Sequence, residues 1–235
     1  MRIFCVRIGD KYDIRYEEYL NKKIEDIGYK ITWIREPFDD RVMLQWNKLQ
    51  VMQTRIDEPV VVMDIDLLLT NNYRELIEYP INDDEFLLLP AWWNTSDKFA
   101  FNGGFQKFVP KNCNYIFKEF MSRPLYWQGY YIQEGMTIGP VNGEQFFVVE
   151  QARKQLKVKT IPDSWVCRWS SEEFINTVRN MSYEDYIRNE NENYANICNG
   201  ATLYDGVEFN TDVKLVHFTH TLNKPSEWKE YDSHR

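Results

Sequence analysis

Two carboxylates, Asp64 and Asp66, interrupt an apolar stretch of the sequence at 60–70. The apolar residues predict a strand that is buried on both faces. Ionised carboxylates at the end of a buried strand cost free energy unless another group compensates their charge. A divalent cation suits this purpose because hard cations prefer oxygen ligands. The pair therefore predicts a metal site, and the simpler alternative is that both residues cap a turn.

Two of the three histidines in the chain, His217 and His220, lie in the segment 214–225. His217 follows two apolar residues, which predicts a position at the end of another strand. A neutral imidazole is a good ligand for Mn²⁺, so Asp64, Asp66 and His217 form a candidate three-point site that leaves positions open for phosphate oxygens. Lys224 adds a mobile positive charge that suits a diphosphate. The alternative is that His217 is a structural residue.

The order of the predicted elements indicates how these residues are positioned. Strands alternate with helices, which predicts an α/β fold with a mostly parallel central sheet. Ligands of such sheets bind beyond the carboxyl ends of the strands, so the end of the first strand and the Asp64/Asp66 pair should be neighbours. We expect one domain over 1–235, with a polar helical excursion around 170–206. Strands are predicted at 2–8, 29–34, 60–70, 86–90, 105–109 and 158–161, and helices at 16–27, 43–56, 73–79, 113–121 and 143–156.

Composition argues against several classes of protein. The net charge is −8 and the pI is about 5.1, which disfavours a nucleic-acid partner because that binding depends on Lys and Arg. No apolar run approaches the roughly 18 residues of a membrane span, and the first residues do not resemble a signal peptide. The four cysteines have no short spacing, which predicts reduced thiols and a cytoplasmic location.

Four motifs occur in a characteristic order, at 64–66, 101–104, 143–145 and His217 followed by 224–225. Together they resemble the DxD glycosyltransferases of the GT-A (Rossmann-like) fold, most closely the retaining glycogenin/galactosyltransferase-like group (family 8-like), over residues 1 to about 227. The resemblance implies metal-dependent transfer of a sugar from a UDP-hexose, such as UDP-glucose or UDP-galactose, to a glycan or another hydroxyl acceptor. Mn²⁺ is favoured over Mg²⁺ because of the histidine ligand.

The resemblance also implies roles for individual residues. Asp64 would contact both metal and ribose, Asp66 and His217 would bind the metal, and Lys224 would bind the diphosphate. The remaining donor contacts would be Val6, Arg7, Ile8 and Tyr12 on the base and ribose, Lys48 facing the donor, and Asn102 on the donor sugar.

Glu144 and Gln145 lie where the family has a polar pair near the anomeric carbon. Cleavage of the anomeric bond builds negative charge on the diphosphate, which the metal and Lys224 would stabilise, and positive charge on the sugar. Glu144 is the candidate nucleophile or ring stabiliser, with either front-face attack or a covalent intermediate giving retention. The alternative is that Glu144 is an acidic residue favoured in the first turn of its helix.

Two other functions compete with transfer. A haloacid-dehalogenase-type phosphatase would use Asp64 as its nucleophile, but that family expects the motif on the first strand. A noncatalytic sugar-binding module is suggested by the aromatic clusters at 92–93 and 126–131, whose rings could contact a carbohydrate or pack in the core. Such a module would not explain why Asp64, Asp66 and His217 occur together.

Overall fold

The computed structural model describes residues 1–9, 12, 14–70, 72–90, 101–136, 143–169 and 212–218. Five α-helices and nine strands occur in these ranges, with 3₁₀ helices at Leu44–Gln53, Pro110–Asn112 and Asp163–Trp165. The strands are β1 (Arg2–Val6), β2 (Ile31–Ile34), β3 (Val60–Met63), β4 (Leu67–Leu69), β5 (Glu85–Pro90), β6 (Phe101–Phe108), β7 (Lys157–Thr160), β8 (Val166–Trp169) and β9 (Leu215–Phe218). The helices are α1 (Ile14–Asp26), α2 (Tyr73–Ile77), α3 (Asn114–Ser122), α4 (Pro124–Gln133) and α5 (Gly143–Ala152).

Six of the strands form a central sheet in the order β2-β1-β3-β6-β5-β7. β1 pairs in parallel with β2 and β3, and β5 pairs in parallel with β7. Among the strands that the structure describes in this sheet, β6 alone runs antiparallel to both of its neighbours, β3 and β5. A smaller sheet has the order β4-β9-β8. The predicted α/β architecture with a mostly parallel central sheet is confirmed.

The central sheet has an apolar core on each face. The side chains of β3 alternate between them, with Val61 and Met63 in one cluster and Val60 and Val62 in the other, as the period of two in a strand requires. The first cluster includes buried residues of α1 and α2, and the second includes those of the 3₁₀ helix Leu44–Gln53, α3 and α5. Helices therefore cover both faces of the sheet.

The prediction of a single strand at 60–70 is wrong. The structure has two strands there, separated by the segment that carries the two aspartates. β3 ends at Met63 in the central sheet, and β4 begins at Leu67 in the smaller sheet. The NH group of Asp64 still donates to the carbonyl of Gly104, with N and O 2.8 Å apart, whereas Leu67 pairs with His217. The segment between the two strands thus carries both carboxylates out of the regular ladders.

Three other elements differ from the sequence expectation. The segment predicted as a helix at 43–56 is a 3₁₀ helix, Leu44–Gln53. The helix α4 and the smaller sheet were not predicted. The polar excursion expected at 170–206 lies outside the described residues. None of the helices in the part of the chain that the structure describes is long and apolar enough to cross a bilayer.

Candidate functional site

A cleft opens beyond the carboxyl ends of β1 and β3. About 400 Å³ of space lies between its walls, a volume that includes open solvent at the mouth of the cleft. The end of the first strand and the aspartate pair therefore share one cleft, where a sheet of this type binds its ligands. The residues that line it are Val6, Arg7, Ile8, Tyr12, Leu44, Gln45, Asp64, Ile65 and Asp66.

Asp64 stands at the junction of the cleft and the protein interior. Its side chain is 20% exposed, and its Oδ1 atom lies 2.6 Å from Nζ of Lys48. The main chain of Asp64 is held by the carbonyl of Gly104 on the neighbouring strand β6. One side of the carboxylate thus has a buried cationic partner, and the residue also lines the cleft.

Asp66 is more buried, with 7% of its surface exposed. The hydroxyl of Tyr12 donates to Oδ2 of Asp66, with the two oxygens 3.2 Å apart. Burial first, and then the negative charges of Asp66 and Asp64, raise the pKa of Tyr12 above its ordinary value. Tyr12 therefore keeps its proton and remains a hydrogen-bond donor to this carboxylate at neutral pH.

His217 lies inside β9 rather than beyond its end, because β9 continues to Phe218. Its backbone pairs with that of Leu67, the residue after Asp66, so the main chain of His217 runs beside the aspartate segment. The side chain of His217 and all of Lys224 lie outside the described residues. Among the described side chains, no group of three or more His, Cys, Asp and Glu could hold a metal. The two carboxylates on the cleft suit a divalent cation that prefers oxygen ligands.

Behind Asp64 lies a buried network centred on Lys48, whose side chain is 2% exposed. Its Nζ donates to the carbonyl of Gly103 at 2.9 Å and lies 3.6 Å from Oε2 of Glu144. Nε2 of Gln106 donates to the other carboxylate oxygen of Glu144 at 2.8 Å. The 3₁₀ helix Leu44–Gln53, β6 and the start of α5 each supply part of this network.

Burial and charge act in opposite directions on the two ionisable ends of this network. Burial alone would lower the pKa of Lys48, but the carboxylates of Asp64 and Glu144 raise it above its ordinary value. Burial raises the pKa of Glu144, and the charge of Lys48 opposes that effect. Lys48 is therefore a charged ammonium whose stability in the interior depends on these carboxylates.

Asn102 and Gln145, two further predicted site residues, both bind the backbone of the glycine pair in β6. Oδ1 of Asn102 accepts a hydrogen bond from the NH group of Gly104 at 2.8 Å, and Oε1 of Gln145 accepts one from that of Gly103 at 3.2 Å. A Cβ atom on Gly103 would lie 3.0 Å from Cβ of Gln145. A glycine at this position therefore lets β6 approach α5 closely.

The aromatic residues at 126–131 lie on α4, and they differ in how deeply they are buried. Tyr131 is fully buried and donates to Glu150, with Oη and Oε2 2.8 Å apart. Tyr126 is 42% exposed and lies beneath the guanidinium of Arg123, 4.3 Å from its ring centre. Some of these rings are thus core and others reach the surface. The tryptophans at 92–93 lie outside the described residues.

Sequence reasoning missed the residue that orients Arg7. Nη1 of Arg7 donates to Oε2 of Glu17 at 3.1 Å, and Arg35 donates to both oxygens of the same carboxylate. Glu17 is buried, with 8% of its surface exposed. The neighbouring residue Glu18 is exposed, so no local pattern distinguished the two glutamates. Leu44, Gln45 and Gln106 were missed as well, although a glutamine within an apolar strand is a signal for a buried polar contact.

We expect Glu17→Gln to remove an acid-sensitive contribution to stability. The hydrogen bonds and charge of Arg35, with the charge of Arg7, hold the pKa of Glu17 below its ordinary value. A carboxyl group with a lowered pKa in the folded state stabilises the fold above its unfolded pKa, near 4.3, and that contribution is lost as the pH falls through the folded value. Thermal unfolding midpoints of wild type and variant, measured from about pH 7 to about pH 3, should converge at acidic pH. A gap that stays constant, or an equal effect of Glu18→Gln, would contradict this assignment.

Comparison with known proteins identifies the fold but no sequence relative. The chain matches no family model, and no curated protein matches its sequence. The glycosyltransferase GlyE of Streptococcus pneumoniae TIGR4 has a TM-score of 0.54 at 11% identity, over 93% of this chain and 55% of that one. The bifunctional glycosyltransferase WbbM has a TM-score of 0.50 at 11% identity, over 93% of this chain and 45% of that one.

These likenesses show that the chain has the GT-A fold found in glycosyltransferases. The chain spans about half the length of the two proteins that it matches. At 11% identity, the shared property is the fold, and the chemistry has to be argued from the site itself.

Proposed function

We propose that this chain is a metal-dependent glycosyltransferase that transfers a hexose from a UDP-sugar, such as UDP-glucose or UDP-galactose, to a glycan or another hydroxyl acceptor. We assign it to the retaining glycogenin/galactosyltransferase-like (family 8-like) group, as one GT-A domain over 1–235. The observation that carries the proposal is the single cleft that joins Tyr12 and the end of β1 to Asp64 and Asp66. The likeness to glycosyltransferases supports it at the level of the fold.

The donor nucleotide would lie along the end of β1. Val6 and Ile8 offer half-buried apolar surface to a base, and Arg7 and Tyr12 offer polar groups to a ribose or a phosphate. The guanidinium of Arg7 is oriented by Glu17, so its direction is set before a ligand arrives. A preorganised wall of this kind lowers the entropy cost of binding.

Asp64, Asp66 and His217 are the proposed ligands of Mn²⁺, with Mg²⁺ as the alternative ion. When bound, such a cation would act as a Lewis acid that stabilises negative charge on the leaving diphosphate. Tyr12 fixes one oxygen of Asp66 and thus limits the orientations of that carboxylate. Lys224 is the proposed second positive charge on the diphosphate.

The sugar end of the donor would meet Asn102 and Gln145. The amide oxygens of both side chains accept from the backbone of the glycine pair in β6, so we assign their amide nitrogens as donors to sugar hydroxyls. Lys48 and Glu144 are buried behind Asp64. We therefore assign them to holding Asp64 in place rather than to contact with the donor. The acceptor would approach from the solvent side of the cleft.

The proposed setting is the cytoplasm, where Cys5 and Cys113, both free and buried, would stay reduced. The acidic net charge of −8 supports a protein that does not bind nucleic acid. The phosphatase alternative is not favoured, because the aspartate motif follows the third strand of a fold shared with glycosyltransferases.

A donor screen tests the proposal. The protein is incubated with UDP-glucose, UDP-galactose or a GDP-sugar, with Mn²⁺ or with a chelator, and released nucleotide is measured. We expect one UDP-hexose to release UDP, and to do so only when Mn²⁺ is present. NMR of the first-formed sugar product should show the α configuration of the donor. A phosphomonoester is tested in parallel as the substrate of a phosphatase. Release of phosphate from it, with no UDP released from any donor, would refute the proposal in favour of a phosphatase.

A further inference from the structure

We propose that Glu144 is a positioning residue that takes over the ammonium of Lys48 when a cation binds Asp64, so that Lys48 does not compete with the cation for that carboxylate. This inference rests on the proposed function, because it assumes that Asp64 binds a divalent ion. It gives Glu144 a role distinct from attack on the sugar. It also gives Lys48 a role distinct from contact with the donor.

The ammonium of Lys48 lies between two carboxylates. Its Nζ is 2.6 Å from Oδ1 of Asp64 and 3.6 Å from Oε2 of Glu144, and it also donates to the carbonyl of Gly103. An ammonium on the same carboxylate would repel a cation bound to Asp64. This repulsion would be strong because the protein interior screens charges poorly. With 2% of its side chain exposed, Lys48 has no ready access to water as a replacement partner.

Glu144 is built to be that replacement partner. Its side chain is 4% exposed, and it is not among the residues that line the cleft. Gln106, itself fully buried, donates to Oε1 of this carboxylate. The other oxygen, Oε2, is the one nearest the ammonium, so a short shift of Nζ exchanges one ion pair for the other.

Asp64 and Glu144 differ in exposure, and we infer different roles from that difference. Asp64 is 20% exposed and lines the cleft, whereas Glu144 is enclosed. A ligand entering the cleft would therefore meet Asp64, whereas Glu144 does not line the cleft and holds the ammonium of Lys48 from behind. An interaction of this kind is measured by a double-mutant cycle, because it appears as non-additivity between the two residues.

The cycle compares wild type, Glu144→Gln, Lys48→Gln and the double variant. Affinity for Mn²⁺ is measured in the presence of UDP from the EPR signal of the free ion, so that no turnover is needed. Glutamine at position 48 removes the charge but keeps a donor for the carbonyl of Gly103. If that variant does not fold, Lys48→Met serves as the second neutral replacement.

We expect Glu144→Gln to weaken Mn²⁺ binding roughly tenfold and Lys48→Gln to strengthen it by a similar factor, since a partly buried unit charge shifts binding on this scale. When Lys48 is already neutral, Glu144→Gln should change the affinity by no more than about twofold. Equal factors in both backgrounds would overturn the inference, because Glu144 would then act independently of Lys48. Unchanged Mn²⁺ affinity with loss of sugar transfer would also overturn it and identify Glu144 as a catalytic residue.

Lys107, a second buried lysine that lies in the central sheet, provides a matched control. It is 3% exposed, and its Nζ donates to the carbonyls of Ile77 and Tyr79. It follows Gln106 in β6 and therefore lies on the opposite face of the sheet. Lys107→Gln should lower the thermal stability but leave Mn²⁺ affinity unchanged.

A wild-type protein that binds neither Mn²⁺ nor UDP would refute the proposed function itself. Failure of the proposed function is therefore distinguishable from failure of the inference about Glu144, which requires a wild-type protein that binds Mn²⁺.

Discussion

Asp66→Asn is expected to abolish the Mn²⁺-dependent binding of UDP, with a loss of at least about 100-fold in affinity. Asparagine keeps an oxygen that can accept the hydrogen bond of Tyr12, so the local structure should persist. What disappears is the negative charge of a residue that lines the cleft and is 7% exposed. A neutral amide is a much weaker ligand for a divalent cation than a carboxylate, and the diphosphate would lose its bridging ion.

The measurement is calorimetric titration of UDP with and without Mn²⁺, accompanied by a thermal unfolding curve to show that the variant is folded. Asp57→Asn is the matched control, because Asp57 is exposed and precedes β3 at the end of the strand remote from the cleft. It should bind UDP as wild type does. Normal UDP and Mn²⁺ affinity in the Asp66 variant would contradict the metal-site assignment.

Trp46→Ala is expected to lower the free energy of unfolding by about 3–5 kcal/mol, the usual cost of deleting a large buried aromatic side chain. Trp46 is fully buried, stacks on Phe120 with ring centres 5.0 Å apart, and packs on Phe147 at 5.7 Å. It belongs to the same 3₁₀ helix as Lys48, so the cavity would also loosen the support of Asp64. A loss of this size is a large part of the roughly 5–15 kcal/mol that typical domains possess.

Denaturant unfolding followed by circular dichroism measures this effect, with Trp33→Ala as the comparison. Trp33 is half-buried on the edge strand β2, and its indole NH donates to Asn21. Its removal should cost about 1–2 kcal/mol. Equal losses in the two variants would mean that Trp46 does not occupy a tightly packed core.

The sequence allowed the fold class to be predicted because its hydrophobic patterns are local. Tyr16, Leu20 and Ile24 are buried at helical spacing on α1, and four consecutive apolar residues form the fully buried strand β3. Once a parallel sheet is assigned, geometry brings the strand ends together. The cleft that joins Val6 to Asp64 follows from that argument alone.

The details that failed depend on contacts between distant parts of the chain. β4 leaves the line of β3 because it pairs with a strand about 150 residues later, and the register of Leu67 with His217 has no local signal. The network of Lys48, Glu144 and Gln106 likewise joins three separate elements. A local pattern shows that such side chains are polar, but only the fold shows which of them meet.

Titration of UDP into the metal-stripped wild-type protein, with and without Mn²⁺, is the most direct test of the central claim that the cleft beside Asp64 and Asp66 binds a nucleoside diphosphate through a metal. GDP and ADP serve as the comparison nucleotides. We predict that UDP binds only when Mn²⁺ is present and binds more tightly than either of the others. Absence of nucleotide binding under both conditions, or equal binding of UDP with and without the metal, would contradict the account.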